Sequence, residues 1–201
     1  MVLFEKLKRK TFITIIVVVF VSAPAAWTLL RPYQQNRVLS MFDQNADSLR
    51  TGYQSRQALV TVGSGGWSGK GYGKGTQVRG KYLPEAHTDF VFAHLSEEHG
   101  FVGGATVIFL YFLLVLCALR AASRARDRFS AGVAVGVGAL IYWQVLINIG
   151  MVLNVLPVTG VTLPLLSYGR TSVVTVLMAI GLLLNIEMHR SMFQARLGKT
   201  V

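Results

Sequence analysis

The chain has 201 residues, 52% of them hydrophobic and 14% charged, with a formal net charge of +11. A soluble domain carries roughly 25% charged residues, so this composition excludes an ordinary soluble protein and points to a membrane protein. Lys and Arg cluster beside apolar segments, which assigns the positive charge to membrane orientation and anionic lipid; no nucleic-acid partner is expected.

Residues 1–10 form a basic N-terminus containing Lys6, Lys8, Arg9 and Lys10. Residues 11–30 are uncharged and long enough for a transmembrane helix, which needs about 20 mostly apolar residues. A cleavable signal peptide ending near Ala23-Pro24-Ala25-Ala26 is the competing reading. The proline in that site and the apolar continuation through Trp27-Thr28-Leu29-Leu30 favour the helix. Residues 31–98 form a long polar segment and residues 99–119 a second span. Residues 120–128 are a basic link with Arg120, Arg124, Arg126 and Arg128. Residues 129–153 form a third span, with Gln144 and Asn148 its strongly polar members. Residues 154–170 connect to a fourth span, 171–187, which is short unless flanking residues extend it. Residues 188–201 form a basic tail. Positive charge on the 1–10, 120–128 and 188–201 segments makes both termini cytoplasmic and puts 31–98 and 154–170 outside. The expected fold is an all-α membrane protein with four transmembrane helices and a large extracytoplasmic loop. The single cysteine, Cys117, allows no internal disulfide.

Within the outer segment, Leu49, Tyr53 and Ala58 recur at helical spacing, so a surface helix is expected around 50–61. Seven glycines follow between positions 63 and 75, interleaved with Lys70 and Lys74. A Walker A loop fails, because neither lysine precedes Ser or Thr. Two readings stay open: a solvated, turn-rich loop, or a loop whose backbone N–H groups and lysines meet an anionic headgroup.

The run Tyr82-Leu83-Pro84-Glu85-Ala86-His87-Thr88-Asp89-Phe90 brings two carboxylates and an imidazole together. A helix starting at Pro84 would place Glu85 and Asp89 on one face. Like charges at that spacing raise one pKa, a property that suits a general base; ordinary cap and ion-pair contacts are the alternative. Glu97, Glu98 and His99 are expected to mark the membrane interface and to favour a helix N-terminus. In 154–170, two prolines and a glycine interrupt an apolar stretch, as in a re-entrant or cavity-lining segment. Ser167 and Tyr168 are candidates to bond its free backbone groups.

Taken together, these motifs resemble the SEDS family of peptidoglycan glycosyltransferases, which contains RodA and FtsW. The resemblance rests on Gly52-Tyr53-Gln54, Gly63-Ser64-Gly65-Gly66, Gly69-Lys70-Gly71, Gly75-Thr76-Gln77, Leu83-Pro84-Glu85, His87-Thr88-Asp89-Phe90, Glu97-Glu98, Asn148-Ile149-Gly150-Met151, Leu156-Pro157-Val158-Thr159-Gly160 and Ser167-Tyr168-Gly169. The Gly-Lys-Gly…Gly-Thr-Gln pattern is closer to RodA, and Tyr82-Leu83-Pro84-Glu85-Ala86 has an FtsW flavour. Only the C-terminal part of the family's roughly ten-span fold is matched. The resemblance implies an inverting glycosyltransferase that extends glycan strands from lipid II, with Asp89 as general base. It implies Glu85, His87, Thr88, Lys70, Lys74, Gln77, Ser167 and Tyr168 as substrate-binding neighbours. It also implies a divalent cation (Mg or Mn), release of undecaprenyl pyrophosphate and a class B penicillin-binding protein as partner. Arg170 stands where the family usually has a second glycine, and His94 and His99 replace smaller or aliphatic residues. A non-catalytic lipid II- or partner-binding module and a lipid-linked precursor flippase are the alternative functions.

Overall fold

The computed structural model describes residues 51–80 and 88–197, plus short pieces at 13–14, 17–18, 20–22, 28–31 and 34–35. The expected first span, 11–30, therefore lies largely outside the described residues. Five helices follow in chain order: α1 (Thr51–Ser64), α2 (Thr76–Arg79), α3 (Val91–Arg124), α4 (Arg128–Val152) and α5 (Arg170–Leu197). Among the described residues all regular structure is helical. Among the described residues, three helices are long and apolar enough to cross a membrane: Val91–Arg124, Arg128–Val152 and the Arg170–Met188 part of α5.

α3 is two helices placed end to end. Gly100 breaks it with φ 67° and ψ −164°, a conformation that L side chains rarely adopt. The apolar run therefore begins at Phe101. Helix continues past residue 119 to Arg124, because Ala121, Ala122 and the flanking arginines are compatible with it. α4 starts at an Asp127 cap, whose carboxylate accepts from the Ser130 backbone N–H at 2.8 Å and from its hydroxyl at 2.7 Å. It ends in a turn where Asn154 takes φ 57° and the N–H groups of Val155 and Leu156 both donate to the Gly150 carbonyl. A side chain at Gly150 would collide with Leu156, its Cβ lying 2.7 Å from the Leu156 Cδ1. α5 runs well beyond the expected 171–187, since no Gly or Pro interrupts residues 182–197.

α3 packs along α4; α5 contacts both, and α1 lies against α3. Small residues make the α3–α4 seam. Ala118 and Ala134 are fully buried, and a Cβ at Gly138 would sit 3.1 Å from that of Ala118. Close backbone approach of this kind is how helices associate where lipid is as apolar as the side chains. Phe109, Leu110, Phe112, Leu177 and Leu184 point outward and stay exposed, as bilayer-facing side chains do.

Candidate functional site

The glycine-rich loop is docked rather than solvated. It wraps the break in α3 and supplies the main-chain bonds that the break leaves open. Phe101 N–H donates to the Gly66 carbonyl at 2.8 Å and Val102 N–H to the Trp67 carbonyl at 3.2 Å. From the other side, Lys70 and Gly71 donate their N–H groups to the Glu97 and Glu98 carbonyls at 3.0 and 2.9 Å. Such contacts need bare backbone. A Cβ on Gly65 would lie 2.0 Å from the Ser96 carbonyl oxygen, and one on Gly69, at φ +78°, 2.1 Å from that of Glu98.

A buried ion pair locks the loop. Glu97 is 0% exposed, and its Oε1 accepts from Lys70 Nζ at 2.7 Å and from the backbone N–H groups of Thr76 and Gln77 at 2.8 and 3.0 Å. Lys70 Nζ also donates to Ser64 Oγ at 2.9 Å and Thr76 Oγ1 at 2.8 Å. Gln57 Nε2 donates to Gln77 Oε1, which ties α1 to α2. Glu98 accepts from Gly73 N–H at 2.7 Å. The expectation that Glu97 and Glu98 favour a helix N-terminus is therefore corrected. They sit at the C-terminal end of the Val91–His99 helix, and their side chains turn back to hold the loop.

Asp89 lies at the other end of that short helix. Thr88 and Asp89 form a turn and the helix begins only at Val91, so Asp89 precedes it; the positions of a helix starting at Pro84 lie largely outside the described residues. Glu85 and His87 lie outside the described residues. The Asp89 carbonyl accepts from Asn148 Nδ2 at 2.9 Å, and the same nitrogen donates to the Val161 carbonyl at 2.7 Å. Asn148 is itself 0% exposed. Gly160, at φ +72°, abuts the aspartate; a Cβ there would sit 3.4 Å from Asp89 Oδ2. One α4 side chain thus joins the 31–98 segment to the 154–170 connection, with the Asp89 carboxylate beside that junction.

The connection folds onto the helices. Ser167 is buried; its Oγ accepts from Leu163 N–H at 2.7 Å and its own N–H returns to the Leu163 carbonyl at 3.0 Å. Tyr111 donates its hydroxyl to the Pro164 carbonyl. Tyr111 is ten residues along α3 from Phe101, about 15 Å of helix rise. Tyr168 is exposed and takes no part in this packing.

Of the expected site residues, the structure brings Asp89 to the junction. It commits Lys70 and Gln77 to the ion-pair cluster, assigns Ser167 to internal bonding and leaves the Lys74 side chain exposed. Asn148 and Glu97 were missed as positioning residues. Asn148 carried a signal, since an uncompensated amide within an apolar span is a functional candidate in itself. Among the described residues no group of three or more His, Cys, Asp or Glu side chains is placed to hold a metal ion.

A family model for cell cycle proteins of the FtsW, RodA and SpoVE type matches residues 1–192. The chain is 42% identical over 180 residues to the peptidoglycan glycosyltransferase MrdB of Escherichia coli (strain K12), covering 88% of this chain and 49% of that one. It is 45% identical over 161 residues to the stage V sporulation protein E of Bacillus subtilis (strain 168), covering 80% and 44%. A chain from a solved structure, described as structural coordination of polymerization and crosslinking by a peptidoglycan synthase complex, superposes with a TM-score of 0.72 at 32% identity. That match covers 90% of this chain and 49% of the other. The chain spans about half the length of the relatives it matches.

Proposed function

This chain belongs to the FtsW, RodA and SpoVE family of cell cycle proteins, and from that premise we propose that it carries the outer-loop site of a peptidoglycan glycosyltransferase acting on lipid II. Its three apolar helices and its relatives fit a multi-pass bacterial membrane protein. The arginine-rich link at 120–128 supports a cytoplasmic location for that link and for both termini.

In the proposed reaction Asp89 is the general base. It takes the proton of the acceptor sugar hydroxyl while that oxygen attacks the donor's anomeric carbon from the face opposite the leaving group. The new C–O bond forms as the bond to pyrophosphate breaks. Undecaprenyl pyrophosphate leaves with the bonding electrons, and the configuration inverts. Lys70 already has its charge balanced by Glu97, so its role is to shape the loop. The exposed Lys74 is the loop's cation for an anionic headgroup. Thr88 and Tyr168 lie on the same outer segments and are proposed substrate contacts, together with Glu85 and His87. The observation that carries this reading is the junction of Asp89, Asn148 and Gly160, which ties a carboxylate to two outer segments at once. The relation to a chain of a peptidoglycan synthase complex supports a class B penicillin-binding protein as partner.

Polymerisation of fluorescent lipid II by the purified chain, with and without a class B penicillin-binding protein, tests the proposal, with Asp89→Ala as control. Glycan strands that vanish in Asp89→Ala support it. Absence of polymer under both conditions rejects catalysis by this chain. Because the chain spans about half the length of its relatives, a binding module is the second reading. Lipid II binding without polymer would select it.

A further inference from the structure

We infer that Trp67, Phe101 and Tyr72 form an interfacial anchor that seats the glycine-rich loop in the headgroup layer of a lipid bilayer. Arg120 marks one end of the uncharged part of α3 and Phe101 the other. The 19 residue steps between them span about 28 Å at 1.5 Å per residue, close to the roughly 30 Å thickness of the hydrocarbon core. Phe101 therefore lies at the hydrocarbon boundary opposite the arginine cluster. The Trp67 ring meets it edge to face, with centroids 5.1 Å apart.

Side-chain chemistry points the same way. Trp67 is 77% exposed, Phe101 63% and Tyr72 86%. In water this would be an unpaid exposure of aromatic surface. At a membrane surface, Trp and Tyr are the favoured residues, because an apolar ring and a polar N–H or O–H suit a layer that is apolar on one side and wet on the other. Lys74, two residues beyond Tyr72 and also exposed, adds attraction for phosphate headgroups.

The mounting is rigid. The Trp67 carbonyl accepts from Val102 N–H, and the loop is bonded to both sides of the Gly100 break. Anchoring Trp67 therefore sets the height of the Val91–His99 helix, and with it the height of Asp89, above the bilayer. The partner of this surface is lipid, and the inference stands whether or not the chain polymerises glycan.

The test is depth-resolved tryptophan quenching of the full chain in bilayers of brominated phosphatidylcholine. The chain has three tryptophans, so Trp27→Phe with Trp143→Phe leaves Trp67 as the reporter. Blue-shifted emission is expected, with quenching by bromines near the headgroup about twofold stronger than by bromines at the chain ends. Water-like emission quenched by aqueous iodide alone overturns the inference, as does strongest quenching at the bilayer centre. Should the double variant lose helicity, the difference in quenching between the unaltered chain and Trp67→Phe yields the same profile, with the same overturning outcomes.

Discussion

Asn148 Nδ2 donates to the Asp89 carbonyl at 2.9 Å and to the Val161 carbonyl at 2.7 Å, so a single buried amide in α4 holds the aspartate against the 154–170 connection. Asn148→Leu keeps the branched side-chain outline and removes both bonds. If Asp89 is the base, its displacement is expected to lower lipid II polymerisation roughly 10- to 100-fold. Helix content measured by circular dichroism should persist. An unchanged rate would remove Asn148 from the mechanism.

The Glu97–Lys70 pair predicts a coupled stability effect. Glu97 is fully buried; removing it leaves the Lys70 ammonium and the Thr76 and Gln77 N–H groups without their carboxylate, and removing Lys70 leaves a buried carboxylate without its counter-charge. Glu97→Leu or Lys70→Met alone is expected to cost on the order of 3 kcal/mol, and the double variant less than the sum of the two. Unfolding titrations in detergent micelles check this. Strictly additive losses would mean that the pair acts as two independent residues.

Glycine positions should divide sharply. Gly100→Ala meets both a positive φ and a Gly69 nitrogen 2.4 Å from the new Cβ, and is expected to cost more than about 2 kcal/mol. Gly132→Ala, in α4 with nothing within 4 Å, is expected to be neutral or stabilising by up to about 1 kcal/mol. Thermal unfolding of both variants in the same detergent makes the comparison.

A pH effect follows from Asp127. The Ser130 N–H and hydroxyl bonds hold its carboxyl below its ordinary value of 3.8. A carboxyl with a depressed folded pKa stabilises above its unfolded value and loses that contribution as pH falls through the folded one. The unaltered chain should therefore lose its advantage over Asp127→Ala as pH drops below about 4, whereas Asp127→Asn, also a good cap, should not titrate there. Melting temperatures across that range give the answer.

Arg170, where the resemblance leads one to expect a glycine, opens α5 with an exposed side chain, and Asn154 and Leu165 are the non-glycine residues with positive φ among the described positions. Nothing local demands glycine. Arg170→Gly should leave stability within about 0.5 kcal/mol, measured by thermal unfolding.

Three apolar helices and α1 were legible because their signals are local: uncharged runs of membrane length and helical spacing of Tyr53 and Ala58. Boundaries were less so. The second span was expected at 99–119, whereas α3 begins at Val91, because the polar turns of Val91–His99 precede the apolar run that hydropathy detects. The expected span 171–187 agrees with the apolar part of α5, Arg170–Met188, and the helix itself continues to Leu197, since polarity ends a hydropathy window without ending a helix.

The candidate site divides along the same line. The run 82–90 was conspicuous for its two carboxylates and imidazole, but the residues alone left Glu85 and Asp89 open, and the family resemblance singled out Asp89. Glu97 and Asn148 could be seen but not assigned. Their roles depend on Lys70, 27 positions before Glu97, and on Asp89, 59 positions before Asn148. The sequence by itself determined the membrane class, the apolar helices and the glycine-rich composition of the loop, because solvent transfer and backbone freedom act residue by residue. Only the tertiary structure decided that this loop closes a break at Gly100 and that Asn148 braces Asp89. Hydrogen bonds between distant segments form only once helix packing has brought their donors and acceptors within 3 Å, and no local pattern encodes that approach.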